Sequence, residues 1–171
     1  SGITVSHSFD IRERISFYEK LCRSHGALLF EDYEEVKGWM DWLMDTLDSM
    51  ERPKCLCHID ANVDNFLFFE DGSVKLLDWE YAGMCDPVMD VSMCAIYSYY
   101  NEEDMERLFR LYLRREPSED ELFALYANAA LGGFLWCLWA VYKSILGDEF
   151  GEYTIIMYRY AKKYYRKLRK L

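Results

Sequence analysis

The chain has 171 residues, 51% of them hydrophobic and 17% aromatic, and a formal net charge of −10. That length and composition fit one folded domain with a sizeable core and exclude a disordered chain. An acidic body repels phosphate, so the charge argues against a nucleic-acid partner and favours a cationic small molecule.

With only three prolines and nine glycines, long regular elements are expected. Phe9, Ile11, Ile15, Tyr18 and Leu21 fall largely at helical spacing and predict a helix over 9–22, capped by Ser8 or Asp10. Val36, Trp39, Met40, Leu43 and Leu47 predict a second over 33–50, closed by the Pro53 region. The texture then changes. Two short apolar runs, 65–69 and 73–77, flank Glu70-Asp71-Gly72 and predict a β-hairpin. Helical patterning returns over 90–100 and over 102–114, the latter capped by Asn101. A long helix over 118–146 opens on the capping box Ser118-Glu119-Asp120-Glu121, and after Gly147 a last helix covers 153–171.

Residues 122–142 carry no charge and are numerous enough to cross a bilayer. Asn128, the Gly132-Gly133 pair and an aromatic cluster at one end only point instead to a buried core helix, with no membrane span. Seven basic residues and no acid occupy 159–171, which leaves the rest of the chain at a net −17. A solvated helix end that complements the helix dipole is the expected meaning of this basic tail. The six cysteines lack zinc-finger spacing and no signal-peptide pattern opens the sequence. Free thiols in a reducing cytoplasm are therefore expected. There is no internal repeat and no linker. A single domain over 1–171 is expected, mainly α (α+β), with helices around a small hairpin.

The polar residues concentrate at one place. Cys57-His58-Ile59-Asp60-Ala61-Asn62-Val63-Asp64-Asn65 reduces to H-x-D-x-x-x-x-N, and Asp78 follows 13 residues after Asn65, across the predicted hairpin. Phosphoryl transfer to an alcohol needs this set. One carboxylate orients the attacking hydroxyl and accepts its proton, while an amide and a second carboxylate hold Mg2+ against the phosphates of ATP. Asp60, Asn65 and Asp78 fill these roles, and His58 is expected to hold the loop in place. Asp90, ahead of the next helix, is expected to cap that helix. A bond back to the catalytic loop is the alternative.

Aromatic residues form a second constellation. Trp136 and Trp139 lie three apart on the long apolar helix and share a face, and Tyr81 follows the Asp78 loop. A quaternary ammonium is recognised by ring faces, with nearby carboxylates such as Glu80 adding attraction. Plain core packing is the competing reading for such a pair.

At these residues the sequence resembles the choline/ethanolamine kinase family, within the aminoglycoside-phosphotransferase and protein-kinase-like group. The resemblance rests on CHIDANVDNFL (57–67), KLLDWEYAGMCDPVMDVS (75–92), LWCLWAVYKS (135–144) and FGEY (150–153). It implies the large C-terminal lobe of a protein-kinase-like fold, with Asp60 as base and Asn65 and Asp78 as Mg2+ ligands. It places Tyr81, Trp136 and Trp139 in a choline pocket. Many relatives carry Asn or Gly where this chain has Ile59. Nothing before His58 resembles the N-terminal nucleotide lobe of such kinases, with its glycine-rich loop and phosphate-pairing Lys. The expectation is a C-terminal lobe that is inactive alone and exposes an apolar face prone to self-association. Two alternatives stand beside a choline or ethanolamine kinase. One is a kinase of another small cationic alcohol, such as an aminoglycoside or thiamine. The other is a module that binds a cation without catalysis.

Overall fold

The computed structural model describes residues 2–27 and 30–170. In chain order the elements are α1 (Ile11–Ser24), α2 (Tyr33–Ser49), β1 (Cys55–Cys57), a 3-10 turn (Val63–Asn65), β2 (Phe66–Phe68), β3 (Val74–Leu76), β4 (Gly83–Cys85), α3 (Val88–Tyr97), α4 (Glu102–Leu113), α5 (Glu119–Ile145) and α6 (Tyr153–Leu168). The chain is mostly helical, as its patterning predicts. It divides into two compact units. One comprises Arg52–Leu125 with the segment ending at Phe9, and the other comprises Asp10–Glu51 with the chain from Tyr126 onward.

The first unit holds the strands. β2 and β3 pair antiparallel with Phe66 opposite Leu76, closing through Gly72 at φ +80°. This is the predicted hairpin, and Asp71 Oδ1 tightens its turn by accepting from the Ser73 N–H at 2.9 Å. β1 pairs antiparallel with β4, Cys55 opposite Cys85, forming a second small sheet that the sequence pattern does not predict. The N-terminal segment adds to its edge: Phe9 N–H donates to Met84 O at 3.2 Å, and Met84 N–H to His7 O at 3.1 Å. Gly83 permits this approach, because a Cβ there would stand 2.6 Å from Phe9 N. Arg52 Nε reaches Asp86 Oδ2 at 2.7 Å and ties the entry of β1 to the exit of β4.

α3 is apolar on nearly every side and buried accordingly, and its Ser92 Oγ lies 2.9 Å from both the Val88 and the Leu125 carbonyls. Asn101 Oδ1 accepts from the Asp104 N–H at 3.0 Å, as expected of a cap for α4. The Ser118–Glu121 capping box forms in both directions, at 2.8 and 3.2 Å.

The second unit is helical. Asp10, and not Ser8, caps α1, accepting from the Arg12 and Glu13 N–H groups. Ile15, Tyr18 and Cys22 bury one face of α1, while Val36, Met40, Leu43 and Met44 bury one face of α2. α5 is long and apolar enough to cross a membrane, yet 83% of its most apolar stretch is buried, as a core helix requires. Gly133 lets α5 press against α6, since a Cβ would meet Met157 O at 2.6 Å. α2 packs on α6, with Trp39 stacked on Tyr165 at 4.6 Å. The basic end of α6 is more than a solvated tail: Arg166 lies over Trp39 and Arg169 over Trp42. The six cysteines are free thiols.

Candidate active site

The loop that carries the candidate residues leaves β1 at Cys57 and is fixed by backbone donors. The His58 and Ile59 N–H groups donate to the two oxygens of Asp90, at 2.8 and 2.7 Å. Asp90 therefore does not cap α3, contrary to the expectation from its place ahead of the helix. Asp86 Oδ1 takes the first free N–H of that helix, from Val88, at 3.0 Å. Asp90 sits in the first turn of α3 and turns its carboxylate back onto the loop. Burial pushes this carboxyl above the usual range, opposed by the two N–H donors and by His58.

His58 links the loop to the hairpin. Its Nε2 lies 2.6 Å from Leu77 O. A carbonyl only accepts, so Nε2 carries the proton. The ring is buried and meets Trp79 edge-on at 4.8 Å, and its Nδ1 has no partner among the described residues. Leu77 is held a second time through its N–H, which donates to Asn65 O at 2.9 Å. Asp78 comes next, at φ +59°, and Ile59 sits at φ +73°. Left-handed backbone at a β-branched residue and at a carboxylate costs on the order of 1–3 kcal/mol each. Such conformations persist where surrounding bonds impose them, and Asp90 and His58 impose these two.

The Asp60 carboxylate is clamped by Asn65. Asn65 Nδ2 donates to Asp60 O at 2.9 Å and to Asp60 Oδ2 at 3.1 Å. With its amide protons engaged there, Asn65 has its Oδ1 to offer elsewhere. A 3-10 turn, capped by Asn62 Oδ1, spans the residues between and sets the reach of this clamp. Asp78 is exposed, and among the described residues no donor engages its carboxylate. Asn65 is thus bonded to Asp60, Asp90 fixes the start of the same loop, and His58 ties that loop to Leu77, the residue before Asp78.

The described residues hold no cluster of three or more His, Cys, Asp or Glu arranged for a metal. The two oxygen donors offered, Asn65 Oδ1 and the Asp78 carboxylate, fit Mg2+. That ion keeps several waters and binds through one or two carboxylates plus substrate phosphates.

Tyr81 is half-buried and Glu80 exposed in the turn before β4, within the same unit. The tryptophans belong to the second unit. Trp136 is buried and Trp139 partly exposed, their rings edge-to-face at 5.9 Å. Phe150, which the W-x-x-W spacing does not include, lies 5.0 Å from Trp139. The FGEY run beyond the Gly147 turn is the sequence signal for it. Lys143 Nζ stands 5.9 Å from the Trp139 ring, so a cation already faces this indole.

The model of the phosphotransferase enzyme family (APH) matches residues 8–126. The chain belongs to this family. Within it, the likeness to choline/ethanolamine kinases seen in the motifs holds. Protein LicA of Haemophilus influenzae is 27% identical over 152 residues, covering 85% of this chain and 41% of the relative. The structure of choline kinase LicA from Streptococcus pneumoniae superposes with a TM-score of 0.83 at 27% identity, over 97% of this chain and 58% of that one. A LicA structure in complex with AMP gives 0.81 at 26% identity, over 97% and 57%. This chain spans about two-fifths of the length of the LicA protein it matches.

Proposed function

We propose that this chain supplies the acceptor side of an ATP-dependent phosphoryl transfer to the hydroxyl of choline or ethanolamine. The observation that carries the reading is the clamp on Asp60. With Oδ2 held by Asn65, Oδ1 is left for an incoming hydroxyl. Oδ1 accepts the hydroxyl proton as the alcohol oxygen bonds to the γ-phosphorus and ADP departs. A base so placed contributes about 10²–10⁴-fold. Asn65 Oδ1 and Asp78 would hold Mg2+, which when bound would supply positive charge against the nucleotide phosphates. His58 and Asp90 position the loop and do not touch substrate.

Ring faces suit a cation that cannot donate a hydrogen bond. Trp136 and Trp139 supply them in this reading, and the Lys143 ammonium beside Trp139 supports the indole as a cation receptor. Tyr81 is assigned to substrate binding on the family resemblance, and Glu80 for the attraction its carboxylate adds to a cation. No glycine-rich phosphate loop occurs in the sequence before His58. Turnover is accordingly expected of a protein that joins this chain to a phosphate-covering lobe, and not of these residues alone.

Calorimetric titration of choline, ethanolamine, thiamine and an aminoglycoside into the chain tests the substrate class. Choline is expected to bind, and Trp139→Leu to weaken it roughly three- to thirtyfold. A folded chain that binds none of these cations contradicts the proposal. Preference for thiamine or the aminoglycoside shifts it to another cationic alcohol.

A further inference from the structure

The basic stretch 159–171 is only partly explained by the helix dipole, which acts within the last turn of a helix. Arg159, Lys162 and Lys163 lie in the middle of α6, where Arg159 and Lys163, and Lys162 and Arg166, are like-charge neighbours four apart. Such pairs destabilise a helix. Among the described residues neither Arg159 nor Arg166 has a carboxylate partner.

These side chains line an open cleft of about 710 Å³ between α6 and the segment preceding α2. Its apolar part is built by Phe30 and Tyr158, whose rings stack at 3.9 Å and 8°. Two carboxylates reach it. Asp32 is neutralised by Lys162 and accepts from Tyr158 Oη at 2.9 Å, which holds it below the usual carboxylate range. Glu31 is the other. Arg159 and Arg166, which lack a carboxylate partner among the described residues, line the cleft with Lys163 and one remaining carboxylate, beside a flat aromatic wall.

We propose that this cleft is a binding site for a phosphate-bearing anion, distinct from the Asp60 loop, which lies in the other unit. Arginines spaced along one helix face give forked, charge-assisted bonds to phosphoryl oxygens. The stacked rings take an apolar body attached to the anion. A free phosphorylated compound and an anionic lipid headgroup share this chemistry.

The test uses inorganic pyrophosphate in calorimetric titration, and vesicles of phosphatidylcholine with or without phosphatidic acid in sedimentation. The Arg159→Gln/Lys163→Gln variant is compared with Arg169→Gln/Lys170→Gln, which removes equal charge from the same end of the chain outside the cleft. All four positions are exposed, and circular dichroism verifies folding. The site predicts binding that falls roughly tenfold or more in the first variant and little in the second. Pyrophosphate binding with that pattern identifies a soluble ligand, and vesicle binding alone with that pattern identifies a headgroup. No binding by the wild type, or equal loss in both variants, overturns the site.

Discussion

Ile59 carries the sharpest conflict between a residue and its backbone. A buried β-branched side chain at φ +73° is strained, and relatives with Asn or Gly at this place would avoid the strain. Relief of a left-handed conformation is worth about 1–2 kcal/mol, whereas deleting a buried Ile side chain costs about 2–5 kcal/mol. The lost burial outweighs the relieved strain, so Ile59→Gly is expected to lower stability by about 1–3 kcal/mol in urea unfolding. Asn65→Ala removes the clamp on Asp60 and one proposed metal donor, so in the protein that joins this chain to a phosphate-covering lobe it should abolish turnover while leaving the melting temperature nearly unchanged. The loop that joins Asp60 to Asn65, and the hairpin between Asn65 and Asp78, were legible in the sequence because the spacing of these residues around a turn signal is itself the geometry. Asp90 was misread, because an Asp ahead of a helix looks the same whether it caps that helix or faces a loop 31 and 32 residues earlier.

At the scale of elements, long periods were easy to read and short ones were not. Every predicted helix is present within a few residues, and the β2–β3 hairpin follows its turn signal. β1 and β4 have three residues each, too few to show an alternation, and they pair only through the tertiary fold. Their sheet aims the loop, so Asp90→Ala should strike both loop and sheet. It strands two buried N–H groups, each worth about 1–3 kcal/mol, and should depress turnover as well as stability. On α5, Gly133→Ala forces a methyl against the α6 backbone and should cost about 1–3 kcal/mol by thermal unfolding. At the start of the same helix, Arg115 and the Ser118 N–H hold Glu121 at about 2, below an ordinary glutamate near 4.3. A depressed carboxylate contributes stability above its unfolded value and loses it as pH falls through the folded one. Glu121→Gln should therefore flatten the stability curve between about pH 4.3 and 2 and shift it little below that range.

Across the whole molecule, charge is divided between function and scaffold. Most of the chain is acidic, which suits a cationic acceptor, while a basic run without acids occupies α6 and the residues after it, where it covers aromatic rings and lines a cleft. Family membership was legible from the catalytic motifs. The aromatic pair was legible as a pair only: W-x-x-W did not say that Trp136 would be buried and Trp139 partly open, which depends on packing within the unit. The proposed chemistry rests on Asp60 deprotonating a cationic alcohol for phosphoryl transfer. Its most direct test is choline-dependent release of ADP from Mg2+-ATP by the full-length protein carrying this chain, compared with its Asp60→Asn variant. Choline-dependent turnover is expected in the wild type and should fall about 10²–10⁴-fold in Asp60→Asn, with choline affinity and melting temperature retained. Turnover that survives the substitution, or that no cationic alcohol stimulates, would rule out Asp60 as the base for such a substrate.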